Sequence, residues 1–272
     1  MREVFQTQLH EVQVRLVEMA EDTVRIIEKA TKSFNESNVQ LADEAIAIAD
    51  QTGNKALALD ELVIRILAKQ SPVARDLRIL VSALRISASL ERMGALAGHI
   101  AAISRYRFPG SAVPAALAST FKEMGELDIE LARKCVQILK NTDVDQARLI
   151  QAEDARVDEL HRSVFDIVLA DDWKENAMYT VDVTLASRYH ERFADHVVDI
   201  SAKVSYLTTG EWNDVESKRC RIISPNKKPP TKVGGFLILF LAITFLHPVR
   251  QLLPHQLLRP QGRDTRHPLL AA

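Results

Sequence analysis

The chain has 272 residues, 47% of them apolar and 6% aromatic, with only nine glycines. That length can bury a core in one or two domains, and the composition argues against a turn-rich all-β fold. The net charge of −1 hides a division: residues 213–272 carry ten Lys/Arg against three Asp/Glu, net +7, which leaves −8 (25 against 33) on the rest. An acidic body without a basic recognition helix disfavours nucleic-acid binding. Cys135 and Cys220 lack a C-x-x-C spacing and nearby histidines. This excludes a thiolate zinc site or a disulfide framework and fits a reducing cytoplasm. Met1 to Ala20 is interrupted by charge throughout and does not read as a signal peptide.

Helical periodicity begins at about Val4 and runs to Ser33, with Leu9, Val12, Leu16, Met19, Val24 and Ile27 on one face. Asn35 to Asn38 reads as a turn, and a second helix follows from Val39 to about Lys69. Ser71-Pro72 reads as a capping hydroxyl and a first-turn proline that open a third helix, ending near Arg105. Phe108-Pro-Gly-Ser111 breaks the chain. Pro114 then starts a helix to about Lys140, Asn141 to Asp143 is a turn and cap, and a fifth helix spans Val144 to about Leu169. The sixth runs from about Glu175 to Thr208, with Gly210 as its C-cap. No segment alternates at period two. The expectation is all-α.

Those six helices read as three repeated twice. Asp50-x-x-x-Asn54 matches Asp154-x-x-x-Asp158, and Glu91-Arg-Met-Gly-Ala95 matches Glu191-Arg-Phe-Ala-Asp195. Two tandem three-helix bundles of long antiparallel helices follow, over residues 1–110 and 111–212, with an irregular tail over 213–272.

In the sixth helix Glu191, Asp195 and Asp199 recur at steps of four. Leu185, Tyr189, Phe193, Val197, Ile200, Val204 and Leu207 mark its core stripe, which puts Glu191 and Asp195 roughly opposite, towards solvent. Like charges at this spacing cost a few tenths of a kcal/mol, which invites a functional explanation. The plainer alternative is a solvated acidic face crossed by ion pairs to Arg156, Arg162, Arg188 and Arg192. Asp76, in the opening turns of the third helix, gains from the helix dipole in any case.

Taken together, Pro72-Val-Ala-Arg-Asp-Leu-Arg78, Leu90-Glu-Arg-Met-Gly94 and Glu191-Arg-x-x-Asp-His196 resemble the PhoU family, cytoplasmic regulators of bacterial phosphate uptake. The resemblance covers about Met1 to Trp212. It implies a homodimeric, non-enzymatic negative regulator that links the ATPase of a phosphate ABC transporter to a sensor histidine kinase. It also implies a metal site where D/E-x-x-x-D motifs on two helices meet. In the second repeat that set is complete: Asp154, Asp158, Glu191 and Asp195, with Asp199 as an outer-ligand candidate. All-oxygen donors suit Mg²⁺, Mn²⁺, Ca²⁺ or iron rather than zinc. In the first repeat Asn54 and Ala95 break the pattern, so no metal is carried there, and His99 does not repair it. Asp76, Arg78, Glu91, Arg92 and Arg192 are candidate partner contacts. His196 is expected to pack or bond locally.

The tail resembles nothing in the family. Its 14-residue apolar run, Val233 to Leu246, is short of the ~20 residues that span a bilayer. Lys227, Lys228 and Lys232 before it fit a peripheral membrane anchor. A non-homologous extension, as an altered reading frame would produce, is the favoured reading. Two other functions compete: a membrane-anchored structural module that works through its tail, and a di-metal oxidase. Glu159-Leu-His161 has the wrong spacing for the second.

Overall fold

The structure, a computed structural model, describes residues 2–141 and 144–210. They form six long helices: α1 (Arg2–Glu36), α2 (Val39–Gln70), α3 (Ala74–Arg107), α4 (Ala118–Asn141), α5 (Val144–Val168) and α6 (Ala177–Thr209). There is no strand among the described residues. Helices α1 to α3 all pack on one another, as do α4 to α6. The two trios meet through α1 against α4 and α3 against α6. The tail, including the run Val233–Leu246, lies outside the described residues, as do Thr142 and Asp143.

Local chemistry sets the helix ends. Asn38 caps α2 by accepting from the Leu41 N–H at 3.1 Å. Asn176 caps α6 by accepting from Met178 and Tyr179, both at 3.0 Å. Gly210 closes α6 at φ 76°, its N–H donating to the Tyr206 carbonyl at 2.9 Å. The start of α3 differs from the expectation. Ser71 does not cap it but ends α2 in the left-handed region, and α3 begins at Ala74 behind an uncapped Val73. Pro72 has no N–H, and its ring bars Ser71 from the right-handed helical region, so the chain breaks before the proline rather than at it. Pro114 likewise leads into a single 3-10 turn, Ala115–Leu117, before α4 starts.

The core is continuous across both trios. Phe34 of α1 and Phe121 of α4 meet edge to face at 5.2 Å. Gly125 lets α4 approach α1, since a Cβ there would stand 1.9 Å from Thr31 Cγ2. Ser89 of α3 donates to Asp199 of α6 at 2.7 Å, and Arg107 pairs with Asp182 further along the same contact. The described residues therefore form one compact unit.

Candidate functional site

The acidic row of α6 does not face open solvent. Helix α6 packs against α3, α4 and α5. Its inward face is therefore wider than the stripe read from the sequence: Val183, Ala186, His190 and Ala194 are buried as well as Phe193, Val197, Ile200 and Val204. That leaves the Glu191 side chain only 13% exposed, beside α5. Arg188 donates to Glu191 Oε1 at 2.7 Å, while Oε2 is buried without a hydrogen-bond partner. Burial pushes the Glu191 carboxyl up to about 7. Arg188 opposes the rise, and the negative charges of Asp195 and Asp158 add to it.

Those influences place Asp158 of α5 and Asp195 of α6 in one electrostatic neighbourhood with Glu191. Asp154 stands one turn before Asp158, half-buried like it. A buried carboxylate repelled by two others suits a cation, yet the oxygens do not close a cage as placed. Among the described residues, no three His, Cys, Asp or Glu side chains converge closely enough to hold an ion. The surrounding arginines are partly committed elsewhere. Arg156 reaches Glu123 of α4 at 2.7 Å and Glu159 at 3.0 Å, and Arg162 donates to the Asp158 carbonyl at 3.1 Å. His161 lies near the same cations, with Nδ1 3.0 Å from Ser187 Oγ. Burial, with Arg188 and Arg162, holds its imidazole down to about 4, so it is neutral at pH 7.

Asp199 is engaged away from the row, with Lys203 and Ser89. Burial pushes its carboxyl up, but the bonds from Lys203 and Ser89 outweigh that and hold it below the usual range. In the first trio Asp50 and Glu91 are both exposed, and a Cβ on Gly53 would sit 3.9 Å from Glu91 Oε1. No acidic cluster forms there among the described residues. Asp76 and Arg78 are half-buried at the start of α3, with the Arg78 guanidinium against Gly210 at the end of α6; Arg92 and Arg192 are exposed.

Sequence reasoning missed one polar pair. Asp128 of α4 and His190 of α6 are wholly buried, with Oδ2 2.7 Å from Nδ1. Asp128 Oδ1 and His190 Nε2 have no hydrogen-bond partner. Burial pushes the Asp128 carboxyl up to about 6, against the pull of His190. Aligning Glu18-Met19 with Glu123-Met124, and Leu90-Glu91 with His190-Glu191, puts Thr23 and Leu90 at these positions in the first trio. The repeat was the signal: one trio builds this contact with an apolar side chain, the other with an ionisable pair.

A duplicated three-helix bundle with an acidic row on its second copy defines the class. Residues 16–104 and 121–204 match the family model described as PhoU domain. The chain belongs to the PhoU family. It is 37% identical over 212 residues to the phosphate-specific transport system accessory protein PhoU homolog 2 of Mycobacterium tuberculosis, covering 78% of this chain and 100% of that one. PhoU homolog 1 of Mycobacterium leprae is 35% identical over 212 residues, covering 78% of this chain and 96% of that one. The crystal structure of PhoU from Pseudomonas aeruginosa superposes with a TM-score of 0.70 at 24% identity, covering 76% of this chain and all of that one. At that identity it supports the fold.

Proposed function

We propose that this protein is a cytoplasmic accessory regulator of a phosphate transport system, acting as a non-enzymatic adaptor that restrains uptake when phosphate is plentiful. The observation that carries the reading is the match of both trios to the family whose named relatives are accessory proteins of phosphate-specific transport. Long helices with broad exposed faces suit docking. No described helix is long and apolar enough to cross a membrane. The partners of this reading are the transporter ATPase and a sensor histidine kinase, with the chain itself as a homodimer. Pull-down from phosphate-rich and phosphate-starved cells tests it. Co-purification of transporter and kinase is expected, and absence of both overturns it.

The metal belongs to the same proposal. Asp154, Asp158, Glu191 and Asp195 would hold one divalent ion, Mg²⁺, Mn²⁺ or iron, which would neutralise the repulsion now borne by Glu191. Binding requires the side chains to swing inward from their present spacing. Elemental analysis and a thermal shift on adding Mn²⁺ check this, with Asp158→Asn as the control. A blank analysis together with no shift removes the ion and leaves the adaptor standing.

A further inference from the structure

Along one side of the body the helices stand in the order α2, α3, α6, α5. Behind them, α1 packs on α2 and α3, and α4 packs on α5 and α6. The α2–α3 and α5–α6 hairpins therefore show their outer surfaces on the same face. Their tips lie at opposite ends of it. Arg107, closing α3, pairs with Asp182 near the start of α6, while Arg78 near the start of α3 lies against Gly210 beyond the end of α6. That antiparallel contact sets the tips roughly 50 Å apart, the length of the 34-residue α3.

Both tips carry exposed apolar side chains: Ile64, Val73, Leu77 and Val81 at the first, and Phe165, Leu169, Met178 and Val181 at the second. The repeat offset of 100 residues on α3 puts Val81 at Val181, and the two are exposed alike, 40% and 42%. Their charges are opposite. From Ile64 to Val81, Arg65, Lys69, Arg75 and Arg78 stand against Asp76, net +3 (4 against 1). From Phe165 to Val181, Lys174 stands against Asp166, Asp171, Asp172 and Glu175, net −3 (1 against 4). Glu61 and Arg162, just inward of these bounds, reverse the sign at each hairpin in step. Arg65, Lys69 and Arg75 are exposed, as are the four acids of the second tip, and none of the seven forms an ion pair among the described residues.

Within one chain the tips are too far apart to meet. An anionic lipid surface would be repelled by the second tip. A partner helix charged to suit one tip would be repelled by the other. A second copy of this chain suits both at once. Turned about a two-fold axis, it lays its acidic tip on the basic one and its basic tip on the acidic one, the self-complementarity that an isologous interface requires. Opposite charge fixes the orientation, and the apolar side chains supply area to bury.

We propose that the α2–α3 tip of each copy docks on the α5–α6 tip of the other, closing an antiparallel two-fold dimer. The homodimer of the proposed function, on which this rests, thereby gains a defined interface. Arg65, Lys69 and Arg75 face the four acids around an apolar centre, and the contact is made twice.

Sedimentation equilibrium of the full chain tests the interface by charge reversal. The natural chain should be a dimer that weakens as salt is raised. Lys69→Glu with Arg75→Glu leaves both tips acidic, and Asp171→Lys with Asp172→Lys leaves both basic. Each double variant alone should dimerise at least tenfold more weakly. An equimolar mixture of the two should recover the dimer, because every tip then meets its opposite, and a folding defect in either variant could not produce that recovery. A monomeric natural chain, species that grow beyond the dimer with concentration, reversed variants that stay dimeric, or a mixture that stays monomeric each overturn the interface. Dimeric reversed variants would leave the homodimer standing on a different face. Co-purification of transporter and kinase tests the adaptor separately, so the two readings can fail independently.

Discussion

At position 190 the second trio buries a histidine where the first has Leu90, and at 128 an aspartate where the first has Thr23, itself buried and bonded to the Ala20 carbonyl at 2.7 Å. The pair contributes little net stability, because desolvation of both groups offsets their attraction. Removing one partner is worse, since it strands the other. Asp128→Ala should therefore cost about 2–4 kcal/mol in urea unfolding. Asp128→Thr with His190→Leu, the first trio's solution, should cost less than that single change. A protonated carboxyl is also favoured in the fold. Its pKa rises from 3.8 to about 6, so between pH 4 and 6 the folded chain holds a proton the unfolded chain has released. Stability from this group is then highest below pH 4 and declines as pH rises to 6. The decline should show as a change in the stability difference between the natural chain and Asp128→Asn, measured at pH 4 and pH 6.5. A constant difference would rule out proton uptake at Asp128. Cys135, buried and pushed up to about 12 by desolvation, should resist thiol reagents until the body unfolds.

At the scale of elements, six helices were legible because 3.6-residue periodicity is written into each, and Gly210 stops α6 as its position suggested. The start of α3 was not, because Ser-Pro is both an opening and a stop signal, and only backbone geometry decides between them. Nor was the depth of Glu191. A stripe of seven apolar residues describes a helix touching neighbours on one side, whereas α6 is packed by three helices, and small residues such as Ala186 and Ala194 widen its buried face without announcing it. Small residues also set how closely elements meet. A methyl group at Gly125 would overlap Thr31. Gly125→Ala should thus force α4 off α1 and cost about 1–3 kcal/mol despite its better helix propensity. Thr31→Ala should recover part of the loss in the double variant. Equal stability of Gly125→Ala and the natural chain in thermal unfolding would refute so close an approach.

Across the whole molecule, the two copies differ at the matching acidic positions. One half keeps an acidic row whose buried member is crowded by two other carboxylates. The other has Asn54 and Ala95 at the matching positions, with Leu57 exposed one turn from Asn54. Helices α3 and α6 are in direct contact, and Ser89 donates across it to Asp199. Neutralising the row by charge removal should stabilise the second trio. Glu191→Gln eliminates a buried carboxylate that prefers to be protonated, so at pH 8 it should raise stability by roughly 1–3 kcal/mol. The same change should abolish any thermal shift produced by Mn²⁺. Glu91→Gln, exposed in the first trio, should leave stability within about 0.5 kcal/mol and the Mn²⁺ response intact. If both variants answer Mn²⁺ alike, the ion is not held by the second trio.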